Sequence, residues 1–182
     1  MKIRHFVVVV VLSIAFLVNI SSVVFAKDPD AALEPYGDAK LDMHKYPKIN
    51  RVYDVNYDNP KKLNALVHFI QNVNDNVPGK AVVVLHGAEI RAFAKENYLK
   101  YQGVVDQLAD LSKEGVEFRM CNNAMHAAGF KAKDIDGFIT IIPAGFAEII
   151  SLQKQGYFVI DAIPTAVKGS RYIDHPEEKP KT

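Results

Sequence analysis

Apolar and polar positions alternate along this chain in the rhythm of strands and helices. Residues 50–57 alternate with a period of two, which predicts a first strand. The second strand, residues 80–85, contains the continuous apolar run AVVVL, which is typical of strands covered on both faces in a parallel sheet. Residues 116–120, 137–142 and 157–163 predict the third, fourth and fifth strands.

Helical patterns separate these strands. The first helix starts at Asp58-Asn59-Pro60, where a capping side chain precedes a proline, and a second helix spans about 99–113 and closes at Gly115. Residues 88–93 predict a short helix or an irregular segment, and 123–128 a short helix that Gly129 ends. A last helix starts at 143–145 and ends at Gly156, and its apolar residues are predicted to be largely buried: Phe146, Ile149, Ile150 and Leu152. The alternation predicts an α/β three-layer sandwich with a mainly parallel five-stranded sheet flanked by helices.

The ends of the chain have a different composition from this core. Residues 1–26 resemble a signal peptide, with Lys2 and Arg4 before an apolar run and cleavage expected after Ala26. An uncleaved membrane anchor is the alternative, although the run is short for a span of roughly 20 residues. Residues 27–48 predict an extended N-terminal segment, 49–165 an α/β domain, and 166–182 a polar C-terminal tail.

Composition narrows the compartment and the partners. The 182 residues carry 22 basic and 21 acidic side chains, and cleavage would remove Lys2 and Arg4 without removing an acid. The near-neutral mature chain has no basic stripe, so we expect no nucleic-acid partner. We also expect no membrane association after cleavage. The signal predicts the periplasm in a Gram-negative host and secretion in any other.

Cys121 is the only cysteine, and it stands where the third predicted strand ends. In an oxidising compartment it has no partner in its own chain for a disulfide. It is therefore either a buried small hydrophobe or a reactive thiol. If the following segment is helical, its backbone N–H groups would favour the thiolate, the form that attacks sulfur or carries a persulfide.

Ligands of open parallel sheets collect beyond the carboxyl ends of the strands. Three loops meet this description, and they supply the candidate binding residues His86, Gly87, Asn122, Asn123, His126, Pro143 and Gly145. The two histidines are candidate acid/base partners or metal ligands, or else structural or surface residues. Their spacing from Cys121 matches no standard zinc site, so we assign no metal ligands, and a metal–thiolate site of Cys121 with His86 or His126 stays a weaker alternative. We also predict no cofactor. Nucleotide-binding glycine motifs, a nucleophile elbow and a Cys-x-x-Cys pair are all absent from the sequence.

Three blocks of the sequence together resemble the DsrE/DsrF-like family of small α/β proteins associated with sulfur metabolism. They are AVVVLHG at 81–87, VEFRMCNNAM at 116–125 and IPAGFAEII at 142–150, which continues to 157. The resemblance spans roughly residues 52–163. It implies a three-layer fold around a mainly parallel sheet and homo-oligomers, often trimers or hexamers. It also implies that Cys121 occupies the position of a cysteine that carries a persulfide between a sulfur donor and an acceptor.

Two functions from different classes follow from these observations. The first is a periplasmic sulfur-binding or sulfur-transfer protein with Cys121 as persulfide carrier and His86 or His126 tuning the thiol or binding the donor. The alternative is a non-enzymatic oligomeric module that binds a small ligand or a metal in the same cleft.

Overall fold

The computed structural model describes residues 37–162 and residue 177. The predicted signal peptide, its cleavage site after Ala26, and nearly all of the predicted tail lie outside the described residues. Residues 43–162 lie in one compact unit, and residues 37–42 belong to a separate N-terminal unit. Residues 37–50 form no helix or strand.

Five parallel strands form one sheet in the order β4-β3-β2-β1-β5. The strands are β1 (Arg51–Val55), β2 (Ala81–Leu85), β3 (Glu117–Cys121), β4 (Ile139–Ile142) and β5 (Phe158–Asp161). The helices are α1 (Leu63–Asn76), α2 (Tyr98–Lys113), α3 (Asn122–Ala127) and α4 (Gly145–Lys154). Short 3-10 helices cover Pro60–Lys62, Ala88–Phe93, Lys95–Asn97 and Ala132–Asp134. The predicted α/β fold with a parallel five-stranded sheet is confirmed.

Local sequence explains where the helices begin and end. The side chain of Asn59 accepts a hydrogen bond from the Lys61 N–H at 2.9 Å, and Pro60 occupies the first position of the turn that leads into α1. At the other ends, Gly115, Gly129 and Gly156 follow α2, α3 and α4 with positive φ angles. Glycine adopts this left-handed conformation without the steric penalty of a Cβ atom, so it stops each helix.

The sheet is buried on both faces by two unequal layers. Side chains of Val83, Leu85 and Phe118 enter the larger core, to which α1 and α2 contribute. The alternate side chains of Val82 and Val84 pack against α4 on the other face. This two-sided burial explains why β2 is continuously apolar rather than alternating. Within residues 37–162 and at 177, no helix has the length and apolar character to cross a membrane.

The expected burial of α4 is only half correct. Ile149 and Leu152 are buried against the sheet, whereas Phe146 is 63% exposed and Ile150 is 66% exposed. Residues three apart on a helix share one face, and that face already covers β1 and β2. The described residues place no second long helix beside α4, so its flank with Phe146 and Ile150 stays open.

Neighbouring isoleucines on α4 test this arrangement. We expect Ile149→Ala to lower the free energy of unfolding by about 2–5 kcal/mol, because it leaves a cavity against the sheet. The matched control, Ile150→Ala, should change it by no more than about 0.5 kcal/mol. Urea unfolding at low protein concentration measures both. An equal loss of unfolding free energy in the two variants would show that Ile150 is covered in solution. It would contradict the exposed position of Ile150 on α4.

Candidate functional site

Cys121 is the last residue of β3 and also the cap of α3. Its Sγ accepts a hydrogen bond from the Ala124 N–H at 3.5 Å, as a side-chain oxygen does at a conventional helix N-cap. The residue is buried, with 7% of its surface exposed. The expected helix start beside the thiol is therefore present, and the thiol combines low exposure with a polar contact.

The strand register places His86 beside Cys121. Leu85 of β2 pairs with Met120 of β3, so His86 and Cys121 are the next residues on neighbouring strands. His86 comes two positions after Val84, and Cys121 comes two positions after Arg119. The side chains of Val84 and Arg119 both point toward α4. Side chains alternate along strands, so His86 and Cys121 project from the same face of the sheet.

His86 is held by a carboxylate on the other neighbouring strand. Its Nε2 atom lies 2.6 Å from Oδ1 of Asp54 in β1, and its side chain is almost fully buried. The ring also packs against the ring of Phe146 with a centroid distance of 4.7 Å. These contacts fix the imidazole between β1 and the start of α4, because both its edge and its face are engaged.

Gly145 allows α4 to start directly against His86. A Cβ atom at this position would lie 2.9 Å from Cβ of His86 and 3.1 Å from its Cγ. Both distances are shorter than ordinary carbon contacts of about 3.5–4.0 Å. Gly145 is therefore explained by close packing, and Pro143, two residues earlier, is exposed.

Glu89 is a buried carboxylate that joins the loops after β1 and β2. It accepts hydrogen bonds from the N–H of Tyr57 at 2.8 Å and from the N–H of Gly87 at 3.0 Å. A Cβ atom on Gly87 would lie 2.5 Å from the Tyr57 nitrogen and 2.7 Å from its carbonyl oxygen. The glycine is thus required for the two loops to approach. Burial raises the pKa of Glu89, and the two N–H groups oppose that shift.

The remaining predicted site residues lie on α3. Asn122 is half-buried and Asn123 is exposed in the first turn. His126 is exposed and stands five positions after Cys121, whereas residues three or four apart share a helix face. The structure therefore brings Cys121 and His86 together at neighbouring strand ends and leaves His126 on the outer surface of α3.

Sequence reasoning missed the acidic residues around His86. Asp54 and Asp161 each stand near the end of a strand, and they are register partners on β1 and β5. A carboxylate near the end of a largely apolar strand is the signal that could have identified Asp54. Within the described residues, no group of three His, Cys, Asp or Glu side chains is placed to hold a metal ion.

Comparisons with known proteins agree with this fold. Residues 79–162 match the model of the DsrE/DsrF-like family. The fold is similar to the protein of unknown function MTH1491 from Methanobacterium thermoautotrophicum, with a TM-score of 0.55 and 20% identity. That match covers 63% of this chain and 99% of the other. A search of curated proteins found no match. The match to this family suggests a role related to sulfur metabolism.

Substitution of Glu89 tests the buried carboxylate. In Glu89→Gln the amide can accept only one of the two N–H bonds, and we expect a loss of about 1–3 kcal/mol in the free energy of unfolding. The pKa of Glu89 is raised in the folded state, so its stabilisation is complete below the ordinary value of 4.5 and declines as the pH rises through the folded pKa. The gap between wild type and variant should therefore narrow as the pH increases.

Urea unfolding between acid and neutral pH measures that gap. Glu96→Gln is the matched control, because Glu96 is exposed, and it should leave both the stability and its pH dependence unchanged. A gap that widened with increasing pH would contradict the assigned direction of the pKa shift.

Two glycine substitutions that should change the stability in opposite directions test the packing of α4 on His86. Gly145→Ala should destabilise the protein by about 1–3 kcal/mol, because the new methyl group displaces His86. Gly103→Ala lies inside α2 with no atom within 4 Å of the added Cβ, and it should stabilise by roughly 0.5–1 kcal/mol. Thermal unfolding followed by circular dichroism compares them. Stabilisation by both substitutions would refute the close contact at Gly145.

Proposed function

We propose that this chain is a sulfur-binding or sulfur-transfer protein of the DsrE/DsrF-like type, with Cys121 as its persulfide carrier. The observation that carries the proposal is the geometry at Sγ, where the only thiol of the chain ends β3 and accepts the Ala124 N–H at 3.5 Å. A thiolate accepts a hydrogen bond better than a thiol does, so this contact supports the reactive form. Cys121 also lies within the residues that match the family.

The chemistry of loading is a displacement at sulfur. The Cys121 thiolate attacks the terminal sulfur of a donor persulfide or polysulfide, and a new sulfur–sulfur bond forms at Sγ. The sulfur–sulfur bond of the donor breaks, and its electron pair leaves with the donor as a thiolate or a shorter polysulfide. Passage to an acceptor thiolate repeats the step in the opposite direction, so no external oxidant or reductant is needed.

His86 is the residue best placed to assist this step. It stands on the neighbouring strand end and on the same sheet face, and Asp54 fixes its ring. In this proposal it tunes the thiol or binds the donor, a role for which the exposed His126 is less well placed. Exposure of 7% limits access to Cys121, which favours a small sulfur donor over a bulky one.

Compartment and assembly complete the proposal. We propose export to the periplasm in a Gram-negative host, which rests on the signal-like pattern of residues 1–26. We also propose a homo-oligomer, a trimer or hexamer, whose sulfur donor and acceptor are separate molecules. Exposed apolar side chains support an assembly, because such surfaces often mark interaction sites: Ile150 and Phe158.

Intact mass of the purified protein tests the thiol. After incubation with polysulfide we expect added mass in steps of one sulfur atom, which a reductant reverses. Cys121→Ser should gain none, because serine cannot form the sulfur–sulfur bond. Wild-type protein unfolded in urea serves as the control for an accessible thiol.

The outcomes separate the two proposed classes of function. Labelling of the unfolded but not the folded protein would show that the native thiol is inert, and the sulfur-carrier proposal would fall. Labelling of Cys121→Ser would have the same effect. The alternative, a non-enzymatic binding module, predicts instead a ligand-dependent stabilisation that survives Cys121→Ser.

A further inference from the structure

A cavity opens at the carboxyl ends of β1 and β5, and Cys121 does not line it. Its volume is about 310 Å³, and its walls include Asp54, His86, Phe146 and Asp161. Asp161 stands three strands away from Cys121 in the sheet order. With strands spaced about 4.8 Å apart, this separation is about 14 Å. Asp161 therefore lies far from the thiol, whereas His86 lines the cavity and also stands on the strand end next to Cys121.

The cavity is acidic. Asp54 and Asp161 are register partners on neighbouring parallel strands, so their side chains leave the sheet on the same face. Asp54 is engaged by His86, whereas Asp161 is exposed and its side chain forms no ion pair or hydrogen bond with the described residues. Among the residues that the structure describes, no lysine or arginine lines the cavity. Within the described part of the chain, the Asp161 carboxylate at this cavity therefore has no lysine or arginine partner.

An aromatic ring forms another part of the wall. Phe146 is the second residue of α4, and its side chain is largely exposed although the ring also packs on His86. An exposed phenyl face beside a carboxylate attracts organic cations through its negative quadrupole. It also offers an apolar contact to the body that carries the positive charge.

Tyr57 also lines the cavity, but its hydroxyl is buried in the larger core. The residue is only 5% exposed, and its hydroxyl forms no hydrogen bond with any described residue. Burial raises the pKa of Tyr57, and the carboxylates of Glu89 and Asp161 add to the shift, which keeps the hydroxyl protonated.

We propose that this cavity binds a small organic cation, with its primary ammonium group at Asp161 and its body against Phe146. The volume lies at the lower end of the range for ligand pockets, about 300–1,000 Å³, which suits a ligand of few heavy atoms. The inference does not rest on sulfur chemistry at Cys121, because Asp161 and Phe146, which would hold the ligand, have no role at the thiol.

Three probes of one shape and different charge test the site: benzylamine, benzyl alcohol and benzoate. Titration of the full chain followed by heteronuclear NMR should show saturable binding of benzylamine. Its Kd should be lower than that of benzyl alcohol by at least about tenfold, because only the ammonium forms a charge-assisted bond with Asp161. Benzoate should not bind, because its carboxylate would face that of Asp161.

Matched variants assign the binding to this cavity. Asp161→Asn should remove the preference for benzylamine over benzyl alcohol, and Phe146→Leu should weaken both probes. Asp75→Asn makes the same charge change on an exposed residue of α1 and should leave all affinities unchanged. Asp161 is exposed, so its substitution should leave the circular dichroism spectrum and melting temperature unaltered. Equal affinity for benzylamine and benzyl alcohol would overturn the proposal. Benzylamine binding that is unchanged in Asp161→Asn would also overturn it.

Discussion

Burial of β1 and β2 on both faces is the constraint on which the rest of this structure depends. Val82 and Val84 face α4, while Val83 and Leu85 face the larger core, so β2 has no side that tolerates a charged residue. Polar chemistry can therefore begin only where the strand leaves the sheet. His86 and Glu89 appear immediately after Leu85, and each is satisfied by groups from the neighbouring β1 segment. The apolar centre and the polar edge are two consequences of one requirement.

The polar edge is assembled by close approach as much as by charge. Gly87 lets the loops after β1 and β2 meet, and Gly145 lets α4 begin against His86. Neither glycine has a positive φ angle, so backbone conformation does not explain them. Because the two glycines have no side chains, there is room for the Glu89 carboxylate beside Gly87 and for the His86 imidazole beside Gly145. The sequence analysis named both glycines as candidate binding residues, and the structure gives close packing as the reason for a glycine at each position.

Much of the fold could be predicted because its signals are local. The apolar run of β2, the Asn59-Pro60 helix start and the glycines after the helices each act within a few residues. The position of Cys121 at a strand end and before a helix was equally visible. The pairing of His86 with Asp54 was not, because it depends on β1 and β2 being neighbours, which no local pattern states. The prediction that Phe146 and Ile150 are buried was wrong for a related reason. Helical periodicity does not show how many helices cover one face of a sheet.

The contact between Ala124 and Cys121 gives the sulfur atom a structural role in addition to its proposed chemical one. Sγ ends a strand, and it is also the acceptor that completes the first turn of α3. A change in the charge or bonding of this atom alters the strength of that acceptor, so its chemical state and the order of the six-residue helix are thermodynamically linked. The amide proton of Ala124 is consequently a natural reporter, whose exchange with solvent records what the sulfur carries without any label on the sulfur itself.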